Sequence, residues 1–118
     1  MKTVTTRPSF QGDLMLIEIA ELPANCKPAA AESDYHILAH SETGHHHVLE
    51  AGAAQRFIDE TNAFISYLKV NKDAAVEHLR DHDTHEPLGL TEGKFYKVVN
   101  GREDAWAEED AEYRRAAD

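Results

Sequence analysis

Residues 53–70, AAQRFIDETNAFISYLKV, decide the fold class of this chain, because two interpretations fit them. One is a helix over 53–68, since apolar residues recur there at helical spacing. The other is a pair of strands, 55–59 and 64–70, of which FISYLKV alternates and is rich in strand-forming residues. We expect the mainly β fold, a small antiparallel β roll or barrel. The alternative is an α+β fold with a central helix at 53–68.

The surrounding segments favour strands. Apolar and β-branched residues crowd together at 14–20, which predicts a strand. Residues 35–40, 45–50 and 94–99 are predicted to form three more strands. Residues 73–80 fit either a capped helix or another strand. Residues 23–34 contain two prolines and no regular pattern, so they are predicted to form a loop.

The length of 118 residues fits one domain over 1–118. Residues 1–12 are expected to be an N-terminal arm. Residues 104–117 are predicted to form a C-terminal helix, with acidic residues early and two arginines late, as the helix dipole favours. Trp106 is its largest apolar side chain, and we expect it to pack on the β domain or on a second copy of the chain, as in a homodimer.

The net charge of the chain favours some classes of binding partner over others. Lysine and arginine total 12 against 22 aspartates and glutamates, which gives a net charge of −10. Such a field repels phosphate backbones and therefore disfavours nucleic acid, whereas it suits a cation or a basic protein partner. No apolar run is long enough to span a membrane and no secretory leader is evident, so a cytoplasmic protein without a membrane partner is expected. Cys26 is the single cysteine, which excludes an intrachain disulfide.

Histidine is the informative residue type. All eight histidines lie between residues 36 and 85, and four of them form two short pairs. In a strand, His45 and His47 point to one face, about 6.6 Å apart, while His46 points away. His82 and His85 precede Glu86-Pro87, where any helix would end, so their side chains are expected in a loop.

Two histidine pairs are typical of a site for a divalent transition metal. Imidazole is a common zinc ligand, so zinc is the metal expected first. Iron, nickel and manganese are the alternatives. An enzyme built on this site, a metal-dependent hydrolase, would use the metal to activate water with Glu42 or Glu86 as the base. A cupin-like barrel is a further option, because cupins also place a His-X-His pair on one strand, although Glu50 follows this pair too closely. His36 and His40 are expected to be core or rim histidines.

Several motifs together resemble a known pattern. They are Gln11-Gly12-Asp13-Leu14, Glu42-Thr43-Gly44-His45-His46-His47, His82-Asp83-Thr84-His85-Glu86-Pro87-Leu88 and Arg102-Glu103. The pattern is similar to a group of short, uncharacterised bacterial and phage-type proteins with QGD, TGHxH and HxxHxP motifs, and the resemblance covers about residues 11–103. It implies a mostly β fold and a metal site at His45, His47, His82 and His85, and it implies no substrate.

A second hypothesis belongs to another class. A small acidic protein of phage or mobile-element origin is also suited to be a non-catalytic interaction module that binds a host protein. Elemental analysis separates the two hypotheses, because only the first requires stoichiometric metal.

Overall fold

The computed structural model describes residues 1–39, 46–78 and 86–101. These residues form strands and one short 3-10 turn, Ala51–Ala53. The strands are β1 (Lys2–Thr3), β2 (Ser9–Gln11), β3 (Leu14–Ile19), β4 (Cys26–Ala29), β5 (Tyr35–Ala39), β6 (His47–Glu50), β7 (Ala54–Asp59), β8 (Ile65–Val70), β9 (Ala74–His78), β10 (Leu88–Leu90) and β11 (Phe95–Asn100). The predicted mainly β class is therefore confirmed. The predicted C-terminal helix at 104–117 lies outside the described residues.

The strands form two sheets. One has five strands in the order β1-β10-β9-β6-β5, and the other has six in the order β2-β3-β11-β8-β7-β4. All neighbours are antiparallel except β1 and β10, which are parallel. Within the described residues neither sheet closes on itself, so the barrel prediction is wrong for this part of the chain.

The segment that decides the fold class forms a hairpin. Strands β7 and β8 pair with Arg56 opposite Leu68, so the alternative of a central helix at 53–68 is wrong. The connection explains why. The Asp59 Oδ1 atom accepts hydrogen bonds from the backbone N–H and hydroxyl of Thr61, and Asn62 Oδ1 accepts one from the N–H of Phe64. Such short-range bonds compete with the helical pattern and favour a turn.

Strands also occur where none was predicted. Strand β4 lies inside the predicted loop at 23–34 and pairs with β7 at the edge of the six-stranded sheet. Pro28 is tolerated there because an edge strand has one side without ladder hydrogen bonds. The N-terminal stretch predicted as an arm contributes β1 to one sheet and β2 to the other.

The apolar core lies between the two sheets. Side chains from both sheets are almost fully buried, among them Leu14, Leu16, Leu38, Leu49, Leu68, Val76, Leu88, Tyr96 and Val98. Among the residues that the structure describes, five polar ones are also buried, namely Ser9, Gln11, His36, His47 and Ser66. Buried polar groups usually have hydrogen-bond partners, so the contacts of these five residues are candidates for a structural or functional role. No helix within the described ranges is long and apolar enough to cross a membrane.

Candidate histidine site

The sequence singled out six residues for chemistry, and the structure describes two of them. His47 begins β6, and Glu86 lies just before β10. The remaining four, Glu42, His45, His82 and His85, lie outside the described residues. The geometry of the site is therefore built from His47, Glu86 and their neighbours.

The topology brings the two histidine segments to one end of the five-stranded sheet. Strand β5 ends at Ala39 and β6 begins at His47, while β9 ends at His78 and β10 begins at Leu88. These four strands are antiparallel neighbours in the order β10-β9-β6-β5. Both connecting segments consequently start and finish at the same end of the sheet.

His47 and His78 are paired across the sheet. They are opposite each other in the β6–β9 register, and their rings are stacked with centroids 4.1 Å apart and planes 2° apart. His47 is 6% exposed. His78 is not among the predicted ligands, because strand pairing of residues 31 positions apart leaves no local signal.

Gln11 organises this cluster. Its side chain is 1% exposed, and its Nε2 atom donates hydrogen bonds to the backbone carbonyls of Val76, at 2.9 Å, and Glu86, at 3.1 Å. Its Oε1 atom lies 2.8 Å from Nδ1 of His47. Gln11 thereby contacts β9, β6 and Glu86, which lies two residues before β10.

These contacts fix the tautomer of His47. Two carbonyls require the amide nitrogen of Gln11, so the amide oxygen must face the imidazole. An amide oxygen only accepts hydrogen bonds, so Nδ1 of His47 carries the proton. In the neutral ring the lone pair then lies on Nε2, which is the arrangement found in many metal-binding histidines.

The turn that carries Gln11 is tight. Gln11 and Leu14 are paired across β2 and β3, which leaves Gly12-Asp13 as a two-residue connection. Gly12 has a φ of 56°, a left-handed conformation that glycine adopts without steric cost. The QGD motif is therefore a hairpin turn that places a buried glutamine against the histidines.

A family model described as "Domain of unknown function (DUF8820)" matches residues 10–100 of this chain. The chain belongs to this family. No curated protein and no solved structure matches it. The match begins one residue before Gln11 and includes both histidine segments. The expectation of an uncharacterised family is thus confirmed, and the DUF8820 match contains the whole Gln11–His47–His78 cluster.

Glu86 was predicted as a candidate base. In this DUF8820 domain its carboxylate lies at the surface, where Oε1 is 3.1 Å from the N-terminal ammonium of Met1. Both groups are about half exposed, and exposed ion pairs of this kind contribute little to stability. The backbone carbonyl of Glu86, which accepts from Gln11, is more closely tied to the histidine cluster than its carboxylate.

The described part of the DUF8820 domain is not a complete metal centre by itself. Within residues 1–39, 46–78 and 86–101, no group of three or more His, Cys, Asp or Glu side chains is arranged to hold a metal ion. Three of the four predicted ligands lie outside these ranges. The described residues supply one predicted ligand, His47, and the glutamine that orients it.

His36 has a structural role in the same sheet. It is 4% exposed, as predicted for a core histidine, and its Nε2 atom lies 2.8 Å from the carbonyl oxygen of Ala54. This contact joins β5 of the five-stranded sheet to β7 of the six-stranded sheet.

Proposed function

We propose that this DUF8820 protein binds a divalent transition metal through His45, His47, His82 and His85. The observation that carries the proposal is the placement of the two histidine segments. They begin and end at one end of the five-stranded sheet, on neighbouring strands, although they are far apart in sequence. Four imidazoles drawn from these segments suit a transition metal better than Mg²⁺ or Ca²⁺, which prefer oxygen ligands.

The orientation of His47 supports the same function. A ligand histidine usually donates its second ring N–H to an oxygen acceptor, which fixes the ring and increases its basicity. Gln11 supplies that acceptor to Nδ1 of His47 from a buried position. Nε2 is then the nitrogen that would bind the ion.

Zinc is the metal we propose first, with iron, nickel and manganese as alternatives. Zinc takes tetrahedral nitrogen ligands without a redox role, and four histidines can complete that geometry. The enzymatic version of the proposal is metal-dependent hydrolysis. It requires one position open to water and a base, for which Glu42 and Glu86 are the candidates.

Loss of a single ligand histidine tests the proposal. Purified protein is expected to contain one metal ion per chain, and His45→Ala and His85→Ala should each lower both metal content and thermal stability. Metal that binds only the folded state stabilises it by mass action, so the two losses should occur together. Elemental analysis and a thermal unfolding curve measure them.

His46→Ala is the matched control, because His46 lies between two proposed ligands in the sequence but is not itself in the proposed ligand set. It should retain the metal. If His46→Ala loses as much metal as His45→Ala, the proposed ligand set is wrong. Wild-type protein that contains no stoichiometric metal, even after dialysis against zinc, contradicts the function itself.

Metal affinity should also depend on pH. Imidazole must be neutral to bind a metal, and its ordinary pKa is about 6.5, so affinity should fall steadily as pH decreases through that value. A zinc titration at several pH values measures the slope. Affinity that stays constant well below pH 6.5 would indicate carboxylate ligands in place of the histidines.

A further inference from the structure

Arg56 lies on the inner face of the six-stranded sheet. Ala54, Arg56 and Ile58 are every second residue of β7, so their side chains lie on the same face of the sheet. Ala54 belongs to the apolar core, which identifies this face as the inner one. Across the ladder, Arg56 is opposite Leu68 and Ile58 is opposite Ser66, which are 0% and 4% exposed. A guanidinium thus extends from a surface that is otherwise apolar or buried.

The charge of Arg56 is poorly compensated by the residues that the structure describes. Its Nε atom is buried and has no hydrogen-bond partner in the described part of the chain. Burial lowers the pKa of the Arg56 guanidinium from its ordinary value, and the negative charge of Glu32 offsets only part of this effect. Arginine remains protonated under any ordinary condition, so the folded protein retains a half-buried cation at a cost in stability.

A cavity of about 350 Å³ opens beside this side chain. Its lining includes Leu38, Ile58 and Phe64 as apolar groups, and Ser66 and Asn100 as hydrogen-bonding groups. A volume of this size accommodates a small organic molecule. The lining residues come from β5, β7, β8 and β11 and from the connection between β7 and β8.

Two acidic residues also line the cavity, and both have other partners. Asp59 accepts two hydrogen bonds from Thr61, at 2.8 Å and 2.6 Å, and Glu60 forms an ion pair with Lys27 at 2.9 Å. Lys27 offsets the charge of Glu60, whereas hydrogen bonds from the neutral Thr61 leave the charge of Asp59 in place. The cavity is therefore unfavourable for a ligand with two negative charges. A ligand with a single negative charge matches the single positive charge of the guanidinium among the described lining residues.

We propose that this cavity binds a small organic carboxylate that carries an apolar body. The carboxylate would accept the parallel N–H bonds of the Arg56 guanidinium, a geometry for which arginine is well suited. Ser66 and Asn100 offer further hydrogen bonds, and the apolar part of the ligand would pack on Leu38, Ile58 and Phe64. The site is independent of the proposed metal ligands, since it shares no residue with them.

The guanidinium itself gives the direct readout. In a ¹H–¹⁵N spectrum of ¹⁵N-labelled protein, the Nε–Hε signal of Arg56 is assigned by its absence in Arg56→Lys. Titration of the wild-type protein with benzoate should shift this signal saturably. Because the signal belongs to Arg56, a carboxylate that bound only a metal ion elsewhere would leave it unchanged.

Variants separate binding from stability. Arg56→Met should weaken benzoate binding about tenfold or more, as expected for the loss of a hydrogen-bonded ion pair, while its thermal midpoint stays equal or rises, because a poorly compensated buried charge is removed. Arg7→Met is the control, since Arg7 is exposed and distant in sequence from the cavity residues. It should bind benzoate as the wild type does.

Several outcomes would overturn the inference. They are the absence of a saturable Arg56 shift in wild-type protein, an equal loss of binding in Arg7→Met, and a markedly lower thermal midpoint in Arg56→Met, which would indicate a structural role. Inorganic phosphate that shifts the same signal at lower concentration than benzoate would overturn the assignment to a carboxylate.

Discussion

Replacement of Gln11 by alanine is expected to lower the free energy of unfolding by about 3 kcal/mol. Two buried polar groups and one partly buried group lose a partner, and each buried group left without one costs roughly 1–3 kcal/mol, of which local relaxation recovers part. The three groups are Nδ1–H of His47 and the carbonyls of Val76 and Glu86. Urea denaturation followed by circular dichroism measures the loss. The same variant should bind zinc roughly 10–100-fold more weakly, because the orientation of His47 is no longer fixed.

Gln55→Ala is the matched control for this prediction. Gln55 is exposed on β7, so its truncation should change the free energy of unfolding by no more than about 0.5 kcal/mol. If Gln11→Ala costs as little as Gln55→Ala, the hydrogen bonds of Gln11 do not stabilise the fold. A large loss of stability with unchanged zinc affinity would separate the glutamine from the proposed metal site and leave its structural role intact.

The longer strands could be predicted from sequence because each carries its own pattern. The predicted segments 14–20 and 64–70 correspond to β3 (Leu14–Ile19) and β8 (Ile65–Val70). The choice between helix and hairpin at 53–70 depended on Asp59 and Asn62, whose side chains bond to the following backbone. Those two residues are turn formers, and giving them more weight would have excluded the helix.

The short strands carry no pattern of their own. Strands β1, β2 and β10 have only two or three residues each, which is too short for an alternating pattern of apolar and polar residues to be recognised. Their partners determine them. Lys2, for example, lies opposite Leu88 in a parallel pair that no local rule anticipates. The histidine site depends on the same kind of long-range register, which is why the partner of His47 was not foreseen.

Gln11 illustrates what a motif does and does not reveal. The QGD motif is part of the resemblance described above, which implies no role for its glutamine. Its position before Gly12-Asp13 was the available signal, since a polar residue that precedes a tight turn is held in a fixed place. Only the fold shows that this place is inside the protein, against His47 and β9.

The end of β11 packs against the Gly12-Asp13 turn. Asn100 is paired with Leu14, so Gly101 lies against Asp13. A Cβ atom added to Gly101 would overlap the carbonyl oxygen of Asp13 and lie 2.7 Å from its Cβ atom. The obstacle is backbone, which cannot rotate away as a flexible side chain can, so the turn itself would have to move.

Gly101→Ala should therefore lower the free energy of unfolding by about 2–3 kcal/mol, the upper range for overpacking a tight contact. Gly52→Ala is the control, because the nearest atom to an added Cβ there is 4.0 Å away, and its effect should stay within about 0.5 kcal/mol. Because Asp13 is two residues from Gln11, displacement of the turn should also withdraw the glutamine from His47 and weaken zinc binding. A Gly101→Ala protein as stable as Gly52→Ala would show that the contact between Gly101 and Asp13 accommodates a side chain. The inference that this contact holds Gln11 against His47 would then be wrong.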